Sequence, residues 1–304
     1  MSMNESADSR RFFLWNAIFL GTGIVQTLMA YEFVVIGFAA KGWNLLNAAG
    51  NPLGQTLVSA LQPDLWRGLR AHSSHGCTVY LIALSEIGGN TFTQLAISLI
   101  GSGLHSVIYA SIVVLNALVG VFLFRKELSR RRWIALVLIT SSVALASFGQ
   151  PLAKDQEALW LTCVGLGCSI TATVCFSFTY VLSNHVLSPS GTAEVDVARA
   201  PLPMVVALKL GLIETSVMGL YFVTYVVPRW DELVIRPMGL TPASASECVA
   251  WYAVYLLVCG MHQYGFYYCL SFSDLAAVTT GVNKSVSAAA LFFTSSAFFC
   301  HITP

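Results

Sequence analysis

Residues 77–124 read CTVYLIALSEIGGNTFTQLAISLIGSGLHSVIYASIVVLNALVGVFLF, and Glu86 is the only Asp, Glu, Lys or Arg in the stretch. A helix needs about 20 mostly apolar residues to cross a bilayer, so this run holds two crossings, 77–100 and 103–124, separated by a short break. The apolarity is continuous rather than alternating. That selects helices over a barrel, because a helix satisfies its own backbone hydrogen bonds in lipid. Working outward, the runs 12–40, 132–149, 157–183, 203–228, 249–272 and 276–299 have the same character. Together they predict an all-α, polytopic membrane helix bundle of about 8–10 transmembrane helices.

Composition agrees. The 304 residues are 56% hydrophobic and 10% charged, with a mean hydropathy of +0.70. Soluble domains carry roughly 25% charged residues, so most of this surface must face lipid. A net charge of +1 offers no field for nucleic acid. The eight cysteines, Cys77, Cys163, Cys168, Cys175, Cys248, Cys259, Cys269 and Cys300, form no CxxC pair and sit mostly in apolar runs. They read as small buried hydrophobes rather than a metal site or disulfide frame. No metal and no cofactor are expected. The first run is too long for a signal peptide, and no small-residue cleavage site follows it.

Two basic clusters orient the chain: Arg10–Arg11, and Arg125, Lys126, Arg130, Arg131 and Arg132. Both belong on the cytoplasmic side, which requires an even number of crossings between them where three are plain. The candidate for the hidden crossing is 42–62, GWNLLNAAGNPLGQTLVSALQ, uncharged but rich in Asn, Gly and Pro. Those residues make it a poor helix, and irregular backbone at membrane depth survives only where protein buries it or a cavity needs it.

Shifting the chain by 175 residues pairs 79–124 with 254–299 without a gap. Val79, Tyr80 and Leu81 fall on Val254, Tyr255 and Leu256; Leu95 falls on Leu270, Ser98 on Ser273, Val107 on Val282 and Phe124 on Phe299. The break between adjacent spans recurs at 274–276. The first span likewise matches 157–183 through Gly21-Thr22-Gly23 and Gly165-Leu166-Gly167. Five spans per half is odd, so the halves are inverted, an architecture that places a binding site at the midplane. Residues 1–150 form the first repeat, with its second span degenerate, and 151–304 the second. The chain ends at His301–Pro304 where a tenth span would begin, which predicts a truncated chain.

An ionisable side chain at mid-membrane costs roughly 2.5–3.5 kcal/mol on insertion scales and is a functional candidate by default. Five lie in apolar runs: Glu32, Glu86, Lys209, Glu214 and Lys284. Glu32 and Lys209 lie near span ends and can reach the interface. Lys284 is central and suits a substrate phosphate or carboxylate, or an ion pair with Glu86 or Glu214; Asn283 beside it can donate hydrogen bonds. Glu86 is followed by Gly88, Gly89 and Asn90, where small residues let helices approach. His262, Gln263 and Tyr264 interrupt 249–272, and His105 and Tyr109 sit in the repeat-equivalent position to Thr280 and Lys284. Aromatic rings beside polar groups suit a base or sugar ring, although polar side chains in bundles also serve as glue between helices.

The stretch 104–149 resembles the fourth and fifth spans of the drug/metabolite transporter superfamily: a bulky apolar span, a turn with an acid among bases (Arg125-Lys126-Glu127-Leu128-Ser129), then a Gly/Ala/Ser-rich span. The segment 276–299 is similar to its ninth span. There Asn283-Lys284 matches the end of the Gly-Ala-Leu-Asn-Lys motif of GDP-sugar transporters, although Thr280-Gly281-Val282 departs from its beginning. The resemblance implies an EamA-like carrier, nearest the nucleotide-sugar transporters of solute carrier family 35, in the Golgi or endoplasmic reticulum. It implies exchange of a nucleotide sugar for its nucleoside monophosphate by alternating access. Asn283 and Lys284 would contact substrate; Glu86, Asn90, Glu214, His262, Gln263, Tyr264, His105 and Tyr109 would complete the site. An exporter of other cargo or an ion channel or carrier is the alternative. The expected partners are a small-molecule substrate and the lipid bilayer, with no nucleic acid; a homodimer is compatible with this reading. An enzyme is not expected. Residue 100 is Ile, so Ser102 lacks the Gly-x-Ser-Gly pattern, and there is no Gly-x-Gly-Asp, HExxH or Walker loop.

Overall fold

The computed structural model describes residues 3–39, 42–62, 76–125, 127–148, 156–187, 202–241 and 244–271, and the single positions 280, 282, 283, 286, 287 and 290. All regular structure among them is helical. In chain order, α1 is Met3–Val35, α2 Leu46–Ala60, α3 Gly76–Tyr109, α4 Ile112–Phe124, α5 Arg130–Phe148, α6 Gln156–Leu187, α7 Pro203–Tyr221 and α8 Ala245–Ser271. Among the described residues, four stretches are long and apolar enough to cross a membrane: Arg10–Val35, Gly76–Tyr109, Leu159–Leu187 and Pro203–Arg229. The molecule is a helical membrane protein.

The break expected near 100–103 falls at Gly101, whose φ of 76° and ψ of 166° kink α3. Only glycine adopts that backbone without strain. Beyond Tyr221, α7 continues to Met238 through two widened turns, Phe222–Val226 and Asp231–Ile235. Pro228 and Pro237 lie in this stretch, and each removes a backbone donor and crowds the preceding carbonyl.

The segment expected to be irregular is instead a regular helix. In α2, Leu46–Ala60, ten of the fifteen residues are buried, Pro52 among them. Fifteen residues make a helix of about 22 Å, short of the roughly 30 Å hydrocarbon core. What carries α2 through its poor composition is tertiary packing against α8, α7 and α3. Its glycines set the closeness of one side. A Cβ on Gly54 would lie 2.2 Å from the Leu256 carbonyl oxygen, and one on Gly260 would lie 2.4 Å from that of Gly54.

Two apolar clusters fill the bundle. One joins Phe19, Ile82, Ile112, Tyr180, Leu210 and Leu270 from six helices. The other packs Phe33, Phe38, Leu46, Val226, Val234 and Tyr255 at the opposite end of α1. The outward faces carry exposed Leu, Val, Ile and Trp, including Leu84, Leu138, Trp160, Leu220 and Trp251, as a lipid-facing surface requires. Cys248, Cys259 and Cys269 are buried as expected, but Cys77 and Cys163 face outward. Helix α8 starts with a capping box. The Glu247 amide donates to Ser244 Oγ at 3.2 Å, and the Ser244 amide donates to Glu247 Oε2 at 3.1 Å. The Ser244 donors hold the Glu247 carboxyl below the usual carboxylate range.

Candidate functional site

Between the two clusters lies a cavity enclosing about 850 Å³ of space, its open mouth included. Its walls come from α1, α2, α3, α6 and α8. Polar residues line it at helical spacing: Glu86, Asn90 and Gln94 at four-residue steps on α3, Asn47 and Asn51 on α2. Residues i and i+4 share a helix face, so each helix turns a polar stripe inward through an otherwise apolar body.

A relay of amides ties three helices together. Gln26 Nε2 donates to Asn51 Oδ1 at 2.6 Å, and Asn51 Nδ2 donates to Asn90 Oδ1 at 2.6 Å. Asn47 Nδ2 donates to the Ala30 carbonyl at 2.7 Å, while the Tyr255 hydroxyl donates to the Asn47 carbonyl at 3.0 Å. The relay stops short of full satisfaction. Asn47 Oδ1, Asn90 Nδ2, Thr93 Oγ1 and Gln94 Nε2 are buried without a hydrogen-bond partner. Each such group costs roughly 1–3 kcal/mol when nothing meets it. Four around one cavity, on α2 and α3, are the signature of a surface that awaits polar atoms from outside the chain.

The remaining walls are aromatic. His105 stacks on Tyr109 with centroids 5.7 Å apart, and Tyr109 meets Phe176 edge-on at 5.5 Å. His105 Nδ1 lies 2.9 Å from Ser169 Oγ. His262 stacks on Phe19 at 4.5 Å, and its Nδ1 lies 3.0 Å from the Phe19 carbonyl oxygen. A carbonyl only accepts, so Nδ1 is the donor there and a neutral His262 keeps Nε2 as its acceptor.

Glu86 is 1% exposed and its carboxyl receives two donors from α8, Gln263 Nε2 at 2.5 Å and the Tyr267 hydroxyl at 2.8 Å. Behind it, facing away from the cavity, stands the fully buried Glu214. The two carboxyls are neighbours, yet neither Glu214 oxygen meets a hydrogen-bond donor.

Of the residues expected to form the site, the cavity brings together Glu86, Asn90, His105, Tyr109, His262 and Gln263. Tyr264 does not join them. It packs with Trp15 at 5.1 Å and Tyr268 at 4.7 Å on another face of α8. Asn283 donates to Asn16 on α1 instead of lining the cavity. Lys284 lies outside the described residues. Glu32 is exposed and Lys209 half-buried. Gln26, Asn47, Asn51, Thr93, Gln94, Tyr180 and Tyr255 line the cavity without having been singled out. Among the described residues no group of three or more His, Cys, Asp or Glu could hold a metal ion.

No protein-family model and no curated protein matches the chain. The functional reading therefore rests on the residues themselves.

Proposed function

We propose that this protein is a carrier that moves a small polar metabolite across a membrane by alternating access, with the cavity as its binding site. The observation that carries the reading is the set of unmet hydrogen-bonding atoms on Asn47, Asn90, Thr93 and Gln94, buried within a bundle of membrane helices.

Two inverted halves, 1–150 and 151–304, supply the moving parts. The packing supports them: α1 lies against α8 and α6 against α3, which are equivalent contacts if α1 corresponds to α6 and α3 to α8. In its sharpest form the reading is exchange of a nucleotide sugar for a nucleoside monophosphate in the Golgi or endoplasmic reticulum. Stacked aromatic rings and amides suit a base and ribose, and Lys284 would meet phosphate. A second reading, carriage of a neutral or cationic cargo, is favoured by the lining itself. Among the described lining residues there is an acid, Glu86, and no Lys or Arg. The protein binds and releases its cargo unchanged, with no catalytic step.

The two readings separate in proteoliposomes loaded with a panel of nucleoside monophosphates and offered labelled nucleotide sugars. Uptake that needs internal monophosphate and collapses in Lys284→Ala supports the anionic exchanger. Uptake of neutral or cationic solutes alone, indifferent to Lys284→Ala, selects the second reading. Absence of uptake for every class would refute the carrier.

A further inference from the structure

Glu86 and Glu214 face each other across the packing of α3 on α7, but their surroundings differ. Glu86 accepts from Gln263 and Tyr267, one donor for each oxygen. An ionised carboxylate only accepts, so Glu86 is arranged as the charged member. Glu214 is 0% exposed and neither of its oxygens meets a donor. Ionised there, it would be a buried charge without a hydrogen bond, next to a second negative charge. Protonated, it is neutral and gains a hydroxyl that can turn toward Glu86.

A second observation lies outside the acid pair. Gln55 on α2, 1% exposed, donates to the Ala207 carbonyl at 2.7 Å, and its amide reaches the Tyr267 hydroxyl. Its Oε1 has no partner. Glu86 in turn lines the cavity, which gives the buried pair a path to water.

We propose that Glu86 and Glu214 form a proton-binding site spanning the two halves, with the proton resident on Glu214 and exchanged with the cavity through Glu86. When the halves separate, the Glu214 O–H bond breaks, the proton passes to a Glu86 oxygen and then to cavity water, leaving both carboxyls ionised. Return of the halves reverses the step, and no electron is transferred. The movement rests on the carrier reading, whereas the resident proton does not. The titratable groups facing the pair are Tyr267 from α8, Tyr180 from α6 and Tyr109 from α3 itself. Gln263 faces it as a neutral amide, Gln55 reaches only Tyr267, and His105 and His262 stand further along the cavity wall.

The test is an infrared spectrum of the full chain in lipid nanodiscs at neutral pH, without any solute and with carbon-13 glutamate labelling. The native protein should show a protonated-carboxyl stretch that moves with the label. Glu214→Gln should lose that band, because Glu86 keeps its two donors. Glu86→Gln should keep the band but shift it, since the Glu214 hydroxyl has lost its carboxylate neighbour. No band in the native protein, or an undiminished band in Glu214→Gln, overturns the proposal. Should Glu214→Gln fail to assemble, Glu86→Gln decides alone, and an unshifted band there is fatal. A band without solute uptake would refute the carrier and leave the proton site standing; uptake without a band would do the reverse.

Discussion

The two sides of α2 are packed on opposite principles. Toward α8 the contact is close: Gly54 and Gly260 meet backbone on backbone and Gly50 lies against the Tyr255 ring, and none of the three leaves room for a Cβ. Toward α3 and α1 the contact is polar, with Asn47 and Asn51 reaching across and several atoms left unmet. The tight side needs nothing from outside the chain, whereas the loose side is incomplete without a ligand or water. One short helix thus joins a fixed wall to a receptive one.

The comparison breaks most readily at the tight wall. Gly54→Val or Gly260→Val drives a side chain into carbonyl oxygen, and overpacking of this kind costs about 1–3 kcal/mol, occasionally more. We expect loss of the monodisperse species in detergent, read by size-exclusion chromatography. A variant that elutes normally with unchanged thermal stability would show that the helices separate easily and that the wall is not fixed.

On the other side, Asn51→Leu cuts the relay at its centre and strands Gln26 Nε2 and Asn90 Oδ1. The expected loss is about 1–3 kcal/mol, read as a lower thermal midpoint. Gln94→Leu sharpens the contrast, because it removes the unmatched Nε2. Its stability should stay within about 1 kcal/mol of the native chain or rise, while solute uptake falls. A large destabilisation would mean that Gln94 is structural glue.

The smallest effect belongs outside the bundle core. Glu247→Gln weakens the capping box of α8. Because the Glu247 carboxyl is held below its ordinary range in the folded state, its stabilisation is present above the unfolded value and fades as pH falls through the folded one. The native and variant midpoints should therefore converge in acid and differ slightly at neutral pH. Equal separation at both would remove the assignment.

Much of the bundle is legible in the sequence, for physical reasons. Charge-free runs mark helices in lipid, and a glycine between two runs marks the kink at Gly101. In α2 the Asn, Gly and Pro content opposes helix formation locally, yet the glycines are what let α8 close on it. The cavity wall is written in the four-residue spacing of Asn47 and Asn51 and of Glu86, Asn90 and Gln94, a periodicity that single ionisable residues do not display. Tyr264 lies outside the cavity lining for a geometric reason. Sequence neighbours are roughly 100° apart around a helix, so His262, Gln263 and Tyr264 cannot all face one cavity. Nor could sequence show that Asn283 is engaged by Asn16, a partner 267 residues away.

The central claim is that the polar cavity is the solute path, and Ile97, which is buried and lines it, offers the most direct test. Ile97→Trp fills part of that space from a position that belongs to neither the amide relay nor the acid pair. Uptake of a labelled metabolite panel into proteoliposomes should be measured for both chains, with matched elution profiles as proof of folding. The account predicts uptake by the native chain and its loss in Ile97→Trp. Equal uptake by the two would place the path elsewhere and contradict it.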